Sequence, residues 1–197
     1  MAVAMCFGLL PATAWAAEEG VAINESNFPN KTFRNYIQKV FDKDNNDFFS
    51  ADEIAAVTEL TFHYPDAREI ERVFPAMPIC RVRGNNDFDP EVPLNAVVTP
   101  GGVRIYITHG HRERVGMLSS GIVSQRAYEE HCALAFFGHT HRMMLERENG
   151  VWVCNPGSIS LPRGGPASYA RLTIENGRAT QLELVDEDGS LMRKESL

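Results

Sequence analysis

Apolar positions follow two different periods along this chain. Within residues 17–60, Phe33, Tyr36, Ile37, Val40 and Phe41 recur at helical spacing, which predicts an amphipathic helix. Beyond residue 61 the runs shorten. Val103-Arg104-Ile105-Tyr106-Ile107-Thr108 alternates like a strand, and residues 78–82 and 134–137 are short apolar runs that read as two more. Residues 66–74, with a cap at their start, and 122–131 read as helices. Glu148-Asn149-Gly150 lies between strand-like residues 143–148 and 151–154. Glu175-Asn176-Gly177-Arg178 lies likewise between 169–174 and 179–185. Asn-Gly supplies the two positive φ values of a tight hairpin turn, so two hairpins are predicted. The charged tail, residues 186–197, is expected to fray. Strands interleave with helices, so the fold class is α/β.

Residues 1–16 stand apart. An apolar stretch ends in small residues, and Ala14-Trp15-Ala16 fits a cleavage signal before Ala17. The stretch is too short, and too interrupted by Pro11, to span a membrane, so no transmembrane anchor is expected. A signal peptide wants basic residues at its start, yet the first one here is Lys31. Two readings stay open: a signal-peptide remnant, or the apolar first segment of a folded domain. The chain thus divides into residues 1–16, 17–60 and 61–197.

Composition narrows the function. With 44% hydrophobic and 23% charged residues, collagen-like, disordered and coiled-coil chains are excluded. A net charge of −7 argues against gripping nucleic acid by phosphate neutralisation alone. The four cysteines form no CxxC pair, which removes zinc ribbons and thioredoxin-like redox sites. Of only six histidines, four fall in two HxH pairs, His109/His111 and His139/His141. That clustering asks for a chemical cause.

Residues 42–53 carry side-chain oxygens at loop positions 1, 3, 5, 9 and 12, namely Asp42, Asp44, Asn46, Ser50 and Glu53, with the Phe48 carbonyl at position 7. This is the ligand spacing of an EF-hand calcium loop. Asp47 stands at position 6, where Gly is usual because the chain turns there with positive φ. A calcium loop and a merely solvated acidic turn both remain open. Ile23, Asn27-Phe28-Pro29, Phe33-Arg34-Asn35-Tyr36 and Glu53-Ile54 make residues 20–60 similar to a small helical EF-hand-like module of secreted Gram-positive surface proteins. That resemblance implies calcium used for structural stabilisation outside the cell.

Three polar clusters follow predicted strands: Gly84-Asn85-Asn86-Asp87, Thr108-His109-Gly110-His111 and Gly138-His139-Thr140-His141. Loops at the C-terminal ends of strands are where α/β sheets place ligand sites. Imidazole nitrogens with an amide oxygen suit a borderline metal: manganese, or nickel, zinc, iron or cobalt. A glycine in each cluster lets backbone pass close to a metal or phosphate. His63 and His131 have no partner motif and read as structural or exposed.

With Asn155-Pro156-Gly157-Ser158, Leu161-Pro162-Arg163 and Ser168-Tyr169-Ala170 added in order, residues 66–185 resemble the calcineurin-like metallophosphoesterases, specifically the small phosphodiesterases of bacteria and archaea. The resemblance implies two facing mixed sheets flanked by helices. It also implies a two-metal site that hydrolyses a small phosphodiester by a metal-activated water. Asn85, His109 and His139 match ligands of the second metal, and His141 a ligand of the first. His111 matches a residue beside the substrate phosphate. Asn86 occupies the place of a catalytic His in many relatives.

The family begins with Asp-x-His and a bridging Gly-Asp, and neither occurs in this chain. Their place is taken by the EF-hand-like piece, with residues 60–66 as the seam. Two close cations lacking the bridging carboxylate repel with little compensation. Impaired activity is therefore expected, and so is a partial sandwich whose exposed edge offers a route to self-association. The alternative is a non-enzymatic calcium-binding module with a degenerate passenger. The front of the chain suggests export, whereas relatives of the rear are cytoplasmic.

Overall fold

The computed structural model describes residues 3–6, 20–29, 31–55, 79–116 and 120–197. The cleavage-like Ala14-Trp15-Ala16, the helix expected at 66–74, the seam and His63 lie outside them. The chain separates into two units, Met5–Ile79 and Met1–Ala4 with Cys80–Leu197. Strand β1 (Val3–Cys6) forms a two-stranded sheet with the strand at Ile79–Val82.

Among the described residues of the smaller unit, 31–55 form a helix–loop–helix. The unit contains β2 (Val21–Ala22), α1 (Lys31–Val40), β3 (Phe48–Phe49) and α2 (Ala51–Ala55), and β2 pairs antiparallel with β3. Ile23, Phe28, Ile37, Phe49 and Ile54 are buried together at its centre. The predicted helical stripe supplies Ile37, and Phe41 rests against Phe49 with ring centroids 5.9 Å apart. Asp47 has φ 59°, the left-handed turn expected where Gly is usual.

In the larger unit, β4 (Ile79–Val82) leads to β5 (Asn95–Val98), β6 (Ile105–Thr108), α3 (Gly121–Glu129), β7 (Leu134–Phe136), β8 (Met143–Glu148) and β9 (Val151–Pro156). A mixed sheet runs in the order β5-β6-β7-β9-β8. β6–β7 and β7–β9 are parallel, and the outer pairs are antiparallel. All four residues of β6 and all three of β7 are buried, as strands covered on both faces must be. Tyr106, Ala135, Phe137 and Val153 pack with Val123 and Ala127 of α3. β5 was not foreseen, because Asn-Ala-Val-Val is too short for a periodic signal. It exists because β6 offers it an antiparallel partner.

Both hairpins form. Glu148 pairs with Val151 and Glu175 with Arg178, across turns in which Asn149, Gly150, Asn176 and Gly177 all have positive φ. The second hairpin joins β10 (Ser168–Glu175) to β11 (Arg178–Asp186). The expectation that residues 186–197 fray is corrected: β12 (Leu191–Ser196) pairs antiparallel with β11. The Asp186 carboxylate accepts hydrogen bonds from the backbone of Asp188 and Ser190 at 3.1 and 2.7 Å, and Gly189 turns at φ 84°. This turn folds the charged tail back, where ladder bonds order it despite its polarity. No described helix is long and apolar enough to cross a membrane.

Candidate metal centre

β4, β6 and β7 each run out into one of the three polar clusters. His109 directly follows β6 and is buried, and its Nε2 lies 3.0 Å from Asn85 Oδ1. The amide oxygen can only accept, so the ring donates Nε2–H, leaving Nδ1 as a lone-pair donor. His111 and His139 stand around this ring. Centroids are 5.2 Å apart for His109–His111 and for His109–His139, and 6.3 Å for His111–His139. The Nδ1 atoms of His109 and His111 are buried without hydrogen-bond partners. Such orphaned polar atoms are rare in native interiors, and a ligand is one explanation.

The loops are held by backbone that side chains seldom adopt. Gly110 has φ 97°, and a Cβ there would lie 3.0 Å from Val115 Cγ2 and 3.2 Å from Phe137 Cδ2. Only a residue without Cβ lets this loop approach Phe137 so closely. His139 and His141 have φ 66° and 60°, strained values that cluster at functional sites. Gly138 N–H donates to the His109 carbonyl at 3.1 Å, tying the two histidine loops together.

Two buried side chains with no role assigned from sequence support the centre. Asn155 donates from Nδ2 to Gly138 O at 2.8 Å and to Thr140 Oγ1 at 3.0 Å, and its Oδ1 accepts from Gly157 N–H at 3.0 Å. Glu113 accepts from Thr108 Oγ1 at 3.2 Å and pairs with Arg126 at 2.8 Å, pinning the loop after His111 to α3. Asn155 already stood inside a family-like motif. Nothing local marked Glu113, because its partner Arg126 lies a helix away.

The expected site residues are thus distributed as follows. Asn85, His109, His111 and His139 come together. His141 lies within electrostatic reach of His109 and His139, but its Nδ1 is 2.8 Å from the Leu161 carbonyl. Asn86 is exposed and accepts from Asn85 Nδ2 at 3.3 Å. His111 was set apart from the ligands in the sequence reading, yet its ring is as close to His109 as that of His139. A cleft of about 370 Å³, lined by Arg83, Asn85, Phe88, His111 and Arg112, opens beside them.

In the other unit, ligand oxygens of Asp42, Asp44 and Glu53 lie within 4.8 Å of one another. The loop's own backbone uses them: Asp42 accepts from Asn46 and Asp47 N–H, and Glu53 from Lys43 and Ser50 N–H. Burial pushes the Glu53 carboxyl up, but these bonds and the Ser50 hydroxyl outweigh it and hold it below its ordinary value. Asn46 Oδ1 accepts from Phe48 N–H at 2.7 Å.

Burial, then the neighbouring His139, His111 and His141, hold His109 down at about 4 against an ordinary 6.5. Burial also lowers His111 and His139. At neutral pH the rings are therefore neutral, with lone pairs ready for a metal. Below pH 6.5 the unfolded metal-free chain takes up a proton that folded His109 refuses. Stability then falls as pH drops from 6.5 to 4 and levels off beneath, by up to about 3 kcal/mol. Urea midpoints of the metal-free protein between pH 7.5 and 4 check this. A wild-type acid profile no steeper than that of His109→Gln would contradict it.

A model of the calcineurin-like phosphoesterase superfamily domain matches residues 45–177. The chain is 36% identical over 137 residues to the probable metallophosphoesterase YsnB of Bacillus subtilis (strain 168), covering 68% of this chain and 79% of that protein. It is 33% identical over 119 residues to phosphodiesterase YfcE of Escherichia coli (strain K12), covering 55% of this chain and 60% of YfcE. Among solved structures it is similar to a conserved uncharacterized protein of Streptococcus pneumoniae TIGR4, a predicted phosphoesterase. That match has 30% identity and a TM-score of 0.52, and covers 59% of this chain and 69% of the other.

Proposed function

Because the chain belongs to the calcineurin-like phosphoesterase superfamily, we propose that its histidine cluster holds a divalent transition metal and hydrolyses a small phosphodiester. The observation that carries this reading is the convergence of Asn85, His109 and His139 at the ends of β4, β6 and β7, with buried nitrogen lone pairs left over. The donor set fits a borderline cation such as manganese, nickel, zinc, iron or cobalt, and neutral imidazoles need lose no proton to bind it. When bound, a divalent cation polarises phosphate oxygens and acidifies water.

The remaining work falls to the chain itself. In this reading His111 lines the cleft and donates a hydrogen bond to the phosphate, Arg83 and Arg112 supply positive charge beside the Asp87 carboxylate, and Asn86 acts through its bond to the cleft-lining Asn85. Asn155 keeps the His139 loop in its strained conformation. With no Asp-x-His and no Gly-Asp in the chain, the proposed centre retains one cation on His109 Nδ1 and His139, with Asn85 holding the His109 ring through its Nε2–H and His141 in reserve, and turnover is slow. Release of aryl alcohol from an aryl phosphodiester by the purified chain with manganese tests this. Rates equal to the blank with each of manganese, nickel, zinc, iron and cobalt would end the reading.

A second reading, for residues 20–60, rests on the three carboxylates Asp42, Asp44 and Glu53. In it the loop binds calcium through Asp42, Asp44, Asn46, Ser50, Glu53 and the Phe48 carbonyl. Calcium titration followed by amide shifts of residues 42–53 should saturate, and Glu53→Gln should weaken binding at least about tenfold by removing a bidentate ligand. Equal titrations for both proteins would refute it.

A further inference from the structure

We infer that the end of the five-stranded sheet opposite the histidines carries a second binding site, for a small oligophosphate anion of the nucleotide type. A cavity of about 530 Å³ opens there, lined among others by Arg104, His131, Leu134, Arg147, Trp152 and Arg178. That is the size of a small-ligand pocket. Three arginines line it with no Asp or Glu side chain, the terminal carboxylate of Leu197 being the anion beside them, on a chain whose net charge is −7. None of the three is in an ion pair with a described residue. Three arginines against one carboxylate leave a positive surplus, and arginine grips phosphate through paired N–H donors.

The fold sets these groups in place. Arg104 Nε and Nη2 donate to the Glu130 carbonyl at 3.3 and 2.9 Å, which fixes the guanidinium and leaves Nη1 outside these bonds. The Arg147 guanidinium carbon stands 5.8 Å from the centre of the Trp152 ring. Gly102 and Gly177 lie within ordinary contact, a Cβ on Gly102 falling 3.8 Å from the Gly177 Cα. This contact seats the tip of the β10–β11 hairpin, and with it Arg178, against the chain entering β6. Leu134 and Val103 give the cavity a buried apolar floor, and the partly buried Trp152 stands in its wall with Arg147 over one face of the indole.

The site is separate from the metal centre. Arg104 precedes β6 and His109 follows it, and five residues of extended chain span roughly 16 Å. A ligand at one end cannot touch the other, so this inference does not rest on the hydrolytic reading.

The test uses the whole chain without divalent metal. ATP, inorganic tripolyphosphate and inorganic phosphate are each titrated by calorimetry and by the fluorescence of Trp152. Saturable binding of ATP and tripolyphosphate, each weakened at least about fivefold by Arg104→Ala and by Arg178→Ala, supports the site. His139→Ala should leave that binding intact. Tighter binding of ATP than of tripolyphosphate assigns the ring to the Trp152 wall, and equal binding assigns the recognition to phosphate alone. Absence of saturation at millimolar ligand would overturn the inference. So would affinity unchanged in the Arg104→Ala/Arg178→Ala double variant, or binding lost in His139→Ala.

Discussion

His139→Ala is expected to reduce manganese-dependent hydrolysis of an aryl phosphodiester at least about a hundredfold, while leaving the fold intact. Its ring lies 5.2 Å from His109 and 6.3 Å from His111, so it contributes to whichever of these rings holds the cation. Alanine removes a donor that water replaces poorly. The partly exposed position, with φ 66°, means that little packing is lost. Two measurements separate chemistry from collapse. Metal affinity by calorimetry should fall with activity, and the urea midpoint of the metal-free chain should hold or rise slightly, since a strained, crowded imidazole is gone. If His139→Ala hydrolyses the diester like the wild type, the histidine cluster is not the active centre.

Asn155→Ala is expected to damage both stability and turnover. Asn155 is fully buried and makes three hydrogen bonds that span 17 residues to Gly138, 15 to Thr140 and two to Gly157. Truncation leaves the Gly138 carbonyl and the Gly157 N–H without these partners, which costs about 2–4 kcal/mol. The Gly138-His139-Thr140-His141 loop then relaxes from its left-handed geometry, and a loosened ligand loop typically loses roughly 10- to 100-fold in metal affinity. Urea midpoints and metal titrations read the two effects. Asn155→Asp keeps the acceptor for Gly157 but not the donors for Gly138 and Thr140, so it should lose metal affinity as well. An Asn155→Ala protein with both values unchanged would show that the loop holds its shape without this side chain.

The candidate site was legible where one short segment carries the signal. His109 and His139 stand directly after apolar runs, and HxH pairs are conspicuous in a chain with six histidines. Both Asn-Gly turns were legible because their positive φ values are a local property of those residues. The position of His111 was not. Its ring reaches His109 because Gly110 bends the loop to φ 97° against Phe137, a contact made by a residue 27 positions further on. The tail misled for a related reason: its charge predicts exposure, and exposure was taken for disorder. The β12 residues are indeed largely exposed, yet they are ordered by bonds to β11 that no composition reveals.

Taken by itself, the amino-acid sequence determined the α/β class of the larger unit, its hairpins, the acidic loop, and the residue types able to hold a metal. These depend on periodicity, turn chemistry and donor identity, all encoded within a few neighbouring positions. Only the tertiary structure decided that Asn155 and Glu113 brace the histidine loops, that β5 and β12 exist, and that Arg104, Arg147 and Arg178 share one cavity. Each of these is a partnership between segments far apart in the chain, and which partners meet is settled by how the sheets and α3 pack.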